Sequence, residues 1–169
     1  MKKLLLFSTI VIAISTISTA CAQKPSPAAI AKGTIANGNE ITINYSSPAL
    51  KGRTIGKDVE PMQGKIWRAG ANDATVFEIT KDATINGKPL PAGKYGFFTL
   101  DNGSDWTIIF NKTFKQWGAF SYKEADDALR INVKASKTNT SMDRLTYTIS
   151  ASGKVLLNWG TLQIDFDVK

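Results

Sequence analysis

The sequence contains no histidine, and its single cysteine, Cys21, lies near the N-terminus. The absence of histidine excludes Ser-His-Asp and Cys-His catalysis and general acid–base catalysis by imidazole. Zinc sites in proteins rely mainly on histidine and cysteine, so the common zinc sites are excluded as well. We therefore expect no cofactor and no zinc, copper or iron. A hard cation such as Ca²⁺, held by oxygen atoms, remains compatible with the composition.

Long runs of basic residues are also absent, although the formal net charge is +7. A nucleic-acid-binding arm would need such a run, so we expect no nucleic-acid partner. Beyond the N-terminal segment there is no apolar stretch of the roughly 20 residues that a membrane-spanning helix requires. We therefore predict no transmembrane span in the mature chain.

The N-terminal segment has the pattern of a secretory signal peptide. Two lysines precede the apolar stretch LLLFSTIVIAISTIST, and small residues follow it. The sequence STAC resembles a bacterial lipobox, which would make Cys21 a lipidated N-terminus, whereas ACA followed by Gln23 fits ordinary cleavage. We favour ordinary cleavage, because Ser18 stands where a lipobox usually has leucine. The sequence thus predicts a signal peptide at residues 1–22 and a protein exported to the periplasm or cell envelope, with lipid anchoring at Cys21 as the alternative.

The remaining chain combines a short irregular segment with a long β-rich one. Residues 23–33, QKPSPAAIAKG, show no periodicity, and we predict a flexible tether there. Over residues 34–169, apolar and polar residues alternate, as in LRINV and LTYTI, and Asn-Gly and Ser-Gly pairs separate the runs. We predict one antiparallel β-sandwich of about nine or ten strands, jelly-roll-like or immunoglobulin-like. The strands include residues 63–68, 74–80, 83–85, 93–100, 105–111 and 154–159, with one helical turn at 122–128.

Several ordered segments carry a family resemblance. These are SPALKGRTIG, WRAGANDATVFEITKDATINGKPLPAGKYGFFTL, WTIIFNK, QWGAFSY and LRINV. Together they resemble the domain-of-unknown-function family numbered twenty-nine-eleven, a group of exported bacterial proteins, over roughly residues 40–169. The resemblance implies a β-sandwich and implies no activity. The strongest local signature of the family, Arg-x-Gly-Ala-Asn, is met by Arg68, Gly70, Ala71 and Asn72.

The best candidate site is the polar turn within KIWRAGANDATVFEIT. Arg68 can present its planar guanidinium to a carboxylate, a phosphate or a sugar hydroxyl. Asn72 would add a donor and an acceptor, and Trp67 would provide a stacking wall. In the structural alternative, Gly70 adopts the positive φ of a turn, Asn72 caps backbone groups and Arg68 pairs with an acid. We predict that Arg68 and Asn72 converge on one spot under either interpretation.

The segment FKQWGAFSYK offers two further candidates, Trp117 and Tyr122. It lacks strict alternation, so both aromatic side chains are candidates for the rim of a site that stacks on a sugar ring or a peptide. By contrast, Trp106 and Trp159 fall in phase with apolar strand positions, which predicts core packing.

Other chemistries find weaker support in the sequence. The segment GRTIGKD lacks the spacing of a phosphate-binding loop, and DNGSD lacks the length and the closing glutamate of a calcium loop, so we interpret DNGSD as a hairpin turn. Pairs of acids such as Asp58 with Glu60 allow a carboxylate-dependent hydrolase of envelope sugars as an alternative function. A purely structural envelope protein is the third hypothesis. Our main hypothesis is a non-catalytic β-sandwich that binds an envelope glycan or peptide.

Overall fold

Antiparallel strands form nearly all the regular structure of the protein. A computed structural model describes residues 26–169. Within these residues there are eleven strands and a single 3₁₀ turn, Glu124–Asp126. The strands are β1 (Ala28–Thr34), β2 (Glu40–Ser46), β3 (Ile66–Trp67), β4 (Thr75–Ile79), β5 (Ala83–Ile85), β6 (Lys88–Leu90), β7 (Gly93–Asp101), β8 (Trp106–Asn111), β9 (Asp127–Val133), β10 (Ser136–Ile149) and β11 (Lys154–Asp167). The predicted all-β fold is confirmed.

The larger layer is an antiparallel sheet with the strand order β1-β2-β4-β7-β8-β9. The nine-residue strand β7 lies at its centre and pairs with β8 along one edge. Along the other edge, β7 pairs first with β4 and then, at Thr99 and Leu100, with the short strand β3. This arrangement delivers the end of β3, and the polar turn that follows it, to the margin of the sheet beside β7.

The second layer is built around the long hairpin of β10 and β11. Residues 48–50 run along the free edge of β10, where the Leu145 amide donates to the Pro48 carbonyl over 3.0 Å. The small hairpin of β5 and β6 continues the layer beyond β11, through an antiparallel bridge between Ile85 and Val168. The two layers together form the predicted sandwich.

The core lies between the layers because every second side chain of each strand points inward. Strand β4 alternates buried and half-buried residues, and Phe77 is fully buried on its inward side. Its ring packs with those of Phe97, Phe110 and Phe166, with centroids 5.0–6.2 Å apart. Trp106 and Trp159 are also buried, so their predicted core positions are confirmed.

The outer face of the large sheet is covered by residues 112–123, which we call the covering segment. Phe98 and Ile109 point outward from β7 and β8 and are nevertheless fully buried, because Ala119 and Tyr122 pack over them. The segment comes so close to β7 that a Cβ atom at Gly96 would lie 3.0 Å from the Thr113 carbonyl oxygen. Both faces of the central strands are therefore buried, which explains why every residue of β8 is buried.

Two sequence predictions need correction. The flexible tether predicted at residues 23–33 is wrong for residues 28–33, which belong to β1 and pair with β2. Short alanine side chains gave no alternation there, and the strand is held by backbone hydrogen bonds at the sheet edge. The helical turn predicted at 122–128 reduces to the 3₁₀ turn at 124–126, and β9 already begins at Asp127.

Other boundaries differ by less. The strand predicted at 63–68 is only Ile66–Trp67. The predicted signal peptide, Cys21 and residues 23–25 lie outside the described residues. Among residues 26–169, no helix has the length and apolar character needed to cross a membrane.

Candidate functional site

The turn after β3 has an unusual backbone. Ala69 and Asn72 both adopt the left-handed region, with φ of 51° and 59°. Gly70 does not, so the prediction that Gly70 supplies the positive φ is wrong. A Cβ atom at Gly70 would instead lie 2.8 Å from Thr75 Oγ1 and 3.2 Å from the Ser46 carbonyl oxygen. Glycine is therefore required there because two neighbouring strands approach the turn closely.

Trp67 lies behind this turn. Only 1% of its surface is exposed, its ring stacks on Trp159 with centroids 5.7 Å apart, and its Nε1 donates to the Gly70 carbonyl over 3.1 Å. The prediction that Trp67 offers a stacking face to a ligand is wrong, because Trp159 already occupies that face. Trp67 instead fixes the end of β3 and the position of the residue that follows, Arg68.

Asn72 connects three parts of the chain. Its side-chain amide donates to the Ser26 carbonyl and to Ser46 Oγ, both over 3.2 Å. Its own carbonyl accepts a hydrogen bond of 3.0 Å from the Gly118 amide in the covering segment. The structural interpretation of Asn72 is therefore supported, although its partners are distant in the sequence rather than local turn groups.

Arg68 lines a cleft of about 320 Å³, which we call the Arg68 cleft. Its Nη1 lies 3.6 Å from Glu60 Oε2, beyond ordinary hydrogen-bond distance. Its Nε is buried and has no hydrogen-bond partner among the described residues. The cleft is lined by residues of the 48–60 loop, the polar turn, the N-terminal segment and β11: Ser26, Pro48, Arg53, Val59, Glu60, Trp67, Arg68, Gly70, Ala71 and Trp159.

The predicted convergence of Arg68 and Asn72 takes an indirect form. The described hydrogen bonds join the Asn72 side chain to Ser26 and Ser46 and not to Arg68. Both residues meet the covering segment at Gly118: Asn72 through its carbonyl, and Arg68 through Nη1, which lies 3.8 Å from the position of a Cβ atom at Gly118. The turn thus holds the covering segment beside the guanidinium.

The charges of the cleft are unbalanced. Arg53 donates from Nε and Nη2 to the Leu50 and Ala49 carbonyls, over 3.0 and 2.7 Å. Carbonyl oxygens orient the Arg53 guanidinium without neutralising it, so two cations face the single carboxylate of Glu60 in this lining. Such a cleft favours an anionic group, and a guanidinium fork matches a carboxylate or phosphate in particular.

Trp117 is an exposed aromatic residue of the covering segment. It pairs with Asp73 through a backbone bridge, and its side chain is 61% exposed. Phe120, which the sequence analysis did not select, is 87% exposed in the same segment. Trp117 therefore precedes the residue, Gly118, that lies beside the Arg68 guanidinium, although no residue of the covering segment lines the cleft itself.

Tyr122 anchors the covering segment and is not presented to a ligand as predicted. Its hydroxyl donates to Asp127 Oδ2 over 2.7 Å, and its ring packs edge-on against Phe98 with centroids 5.3 Å apart. Arg130 Nη1 completes the network, 3.1 Å from the same carboxylate oxygen. Burial, and then the Asp127 carboxylate, raise the pKa of Tyr122 far above its usual value, so the phenol stays a hydrogen-bond donor.

Sequence reasoning missed Arg53 and gave Glu60 only the role of a paired acid. Arg53 lies within SPALKGRTIG, a segment that carries the family resemblance, and this was the one available signal. The other acid of the proposed pair, Asp58, accepts a hydrogen bond of 2.9 Å from the Thr54 amide and closes a local turn.

Among residues 26–169, no cluster of three or more cysteine, aspartate or glutamate side chains is arranged to hold a metal ion.

The predicted hairpin turn at residues 101–105 is confirmed. It connects β7 to β8, and the Asp101 carboxylate accepts a hydrogen bond of 2.7 Å from the Gly103 amide. The backbone N–H of Asn102 closes the turn by donating to the Asp105 carbonyl over 2.9 Å. The oxygen atoms that resembled a calcium loop thus serve turn geometry.

The fold and the cleft define an all-β sandwich domain with a cationic cleft at one end of the sheet. The chain belongs to the family described as protein of unknown function (DUF2911), whose model matches residues 26–168. The predicted family resemblance is thereby confirmed. Comparisons with curated proteins and with solved structures found no significant match.

Proposed function

We propose that this protein is an exported, non-catalytic binding protein that recognises an envelope glycan or peptide through an anionic group placed in the Arg68 cleft. In this proposal, the guanidinium of Arg68 binds the anion. In the same proposal, Trp117 and Phe120 contact a sugar ring or an apolar side chain of the ligand, because both are exposed within two residues of Gly118, which lies beside the Arg68 guanidinium.

One observation carries the proposal. Arg68 Nε is buried without a hydrogen-bond partner among the described residues, and the nearest acid, Glu60, lies at 3.6 Å. A buried donor without a partner costs about 1–3 kcal/mol. A small rotation of the guanidinium on binding would bring Nε to the cleft, where a ligand carboxylate or phosphate would accept from Nε and one Nη atom and satisfy that donor in bidentate geometry.

The hydrolase alternative is less well supported by the same geometry. Glycoside hydrolysis ordinarily uses two carboxyl groups that face each other across the cleaved bond, roughly 5–10 Å apart. Among the residues that line the Arg68 cleft, Glu60 is the single carboxylate. Binding without catalysis requires no second acid, so it is the function that we propose.

The purely structural hypothesis makes a different prediction for Arg68. The bonds of Asn72 favour a bracing role for the turn itself. A bracing Arg68 would be saturated by carbonyls or by a buried acid, whereas Glu60 is 46% exposed and Arg68 itself 24% exposed. Arg68 is therefore the residue at which binding and bracing can be separated.

We expect Arg68→Ala to abolish ligand binding and to change the melting temperature little. The long contact between the partly buried Arg68 and the exposed Glu60 contributes at most about 1 kcal/mol to stability, so we expect the fold to tolerate its loss. The ligand is first identified by thermal-shift screening of the purified domain against envelope glycans and acidic peptides. The affinity of each hit is then compared between the wild type, Arg68→Ala and Arg68→Lys, which keeps the charge and loses the fork.

A matched control is Lys94→Ala. Lys94 pairs with Glu78 at 3.2 Å across β4 and β7, and neither residue lines the cleft. The Lys94→Ala substitution should leave both the melting temperature and ligand binding unchanged. Unaltered affinity in Arg68→Ala would contradict the proposal, and a large fall in its melting temperature would favour the structural hypothesis.

Export is tested by the intact mass of the protein purified from its native envelope. We expect a mature chain that begins at Gln23, because ordinary cleavage fits the sequence ACA-Q better than Ser18 fits a lipobox. A mass that retains Cys21 with attached acyl chains would show lipidation instead. If the protein is instead recovered from the cytoplasm with its first 22 residues intact, export is contradicted.

A further inference from the structure

We propose that a second cleft, separate from the Arg68 cleft, binds a single-chain fatty acid. This cleft, which we call the Trp106 cleft, has a volume of about 570 Å³ and lies between the 50–55 loop and the β10–β11 hairpin. Its volume falls in the range of small-molecule sites, roughly 300–1,000 Å³. Arg53 lines both clefts. The other residues of the Trp106 cleft take no part in the proposed glycan or peptide site.

Apolar side chains form one part of the Trp106 cleft, and the rest of its lining comes from the hydroxyl residues Thr54, Ser136, Ser141 and Thr161 and from two cations. Trp106 at the start of β8 and Leu162 on β11 contribute side chains from the two layers, and Leu50 and Ile55 close the cleft from the loop. All four residues are at least partly buried, and all four line the cleft, so their carbon atoms contribute to its surface. An alkyl chain gains about 25 cal/mol for each Å² of such surface that it removes from water.

An irregularity of the hairpin creates the opening. Lys137 pairs with Leu162 and Met142 pairs with Gly160, so β10 carries extra residues between these two pairs. Extra residues in one strand bend it away from its partner. Gly160 adopts a φ of 58° at this point, where Leu50 and Ile55 also pack within 3.3 Å of the position of a Cβ atom. The cleft is thus built into the hairpin rather than left by a missing side chain.

The charges at the rim select the headgroup. Arg53 and Lys137 both line the cleft, its lining contains no aspartate or glutamate, and neither cation forms a salt bridge among residues 26–169. Arg53 Nε and Nη2 are bound to carbonyls, which leaves Nη1 for a ligand and fixes its direction. A partly apolar cleft with two cations and no carboxylate in its lining matches an alkyl chain that ends in a carboxylate, and it disfavours a cationic amphiphile.

The test is calorimetric titration of the mature protein with decanoate below the concentration at which it forms micelles. We expect saturable binding to one site, about fourfold weaker binding for each methylene removed in octanoate or heptanoate, and a negative heat-capacity change. Decanol and decyltrimethylammonium have the same chain without the anion. They should bind more weakly than decanoate, by up to about fivefold for each exposed charge pair that is lost.

Variants locate the site. Lys137→Ala should weaken decanoate binding by up to about fivefold, and Ser141→Asp, which places a like charge at the exposed rim, should weaken it further. Lys32→Ala, an exposed lysine on β1, and Arg68→Ala should leave it unchanged, so this proposal and the proposed function fail independently. The inference is overturned by an absence of saturable binding, by equal affinity for the cationic amphiphile, by insensitivity to Lys137→Ala and Ser141→Asp, or by binding to anionic lipid vesicles without binding to decanoate.

Discussion

Phe97→Ala should lower the free energy of unfolding by about 3–5 kcal/mol, the usual cost of removing a buried phenylalanine. Phe97 is fully buried, and its ring lies within 6.2 Å, centroid to centroid, of four other aromatic rings drawn from both layers. The cavity that alanine leaves cannot close easily, because β7 is fixed between β4 and β8. Denaturant unfolding followed by tryptophan fluorescence measures the change.

A matched phenylalanine provides the control. Phe120→Ala removes the same ring from an 87% exposed position and should change stability by less than about 0.5 kcal/mol. Equal effects of the two substitutions would mean that the aromatic core does not hold the two layers together.

Asp127→Ala should cost about 2–4 kcal/mol and should also release the covering segment. The Asp127 side chain is 7% exposed and receives hydrogen bonds from Tyr122 Oη, Arg130 Nη1 and Asn111 Nδ2. Its removal takes the buried carboxylate from a partly buried cation and from two donors, although Arg130 still binds Glu124 and Asn111 still donates to the Lys123 carbonyl. We expect a smaller loss of stability than for a fully buried ion pair, because the Arg130 side chain is 30% exposed.

Glu124→Ala separates burial from charge in this network. Glu124 also binds Arg130, over 3.0 Å, but its side chain is 76% exposed. We expect it to cost less than about 1 kcal/mol. Hydrogen exchange of the 112–123 amides should accelerate in Asp127→Ala and not in Glu124→Ala. Unchanged exchange in both variants would show that Tyr122 and Asp127 do not anchor the covering segment.

The sheet was predictable where one face is apolar and the other is polar. Period-two alternation located β9 and the C-terminal half of β10, because a half-buried antiparallel strand must alternate. It missed β1, in which Ala31 is the one buried hydrophobic residue and backbone pairing supplies the stability. It also gave no sign that the covering segment would bury Phe98 on the outer face, since that contact joins distant parts of the chain.

The site was predictable only in part, for a similar reason. Arg68 and Trp117 were selected as candidate site residues because an arginine in a turn and a tryptophan outside an alternating pattern are unusual. Trp67 was misjudged because its partner, Trp159, comes from the other end of the chain. The residues that make Arg68 part of a cleft, Arg53 and Glu60, come from a loop that precedes it, and no local pattern connects them to it.

The most direct test of ligand binding at the Arg68 cleft is the NMR signal of the Arg68 Nε–H group, assigned by its disappearance in Arg68→Lys. We expect a ligand found by screening to shift this signal strongly and to slow its exchange with water, because the buried donor gains an oxygen partner. The corresponding signals of Arg130 and Arg144 should stay in place, since these residues already bind protein groups outside the cleft. A ligand that binds with full affinity and leaves the Arg68 signal unmoved would contradict the proposed site.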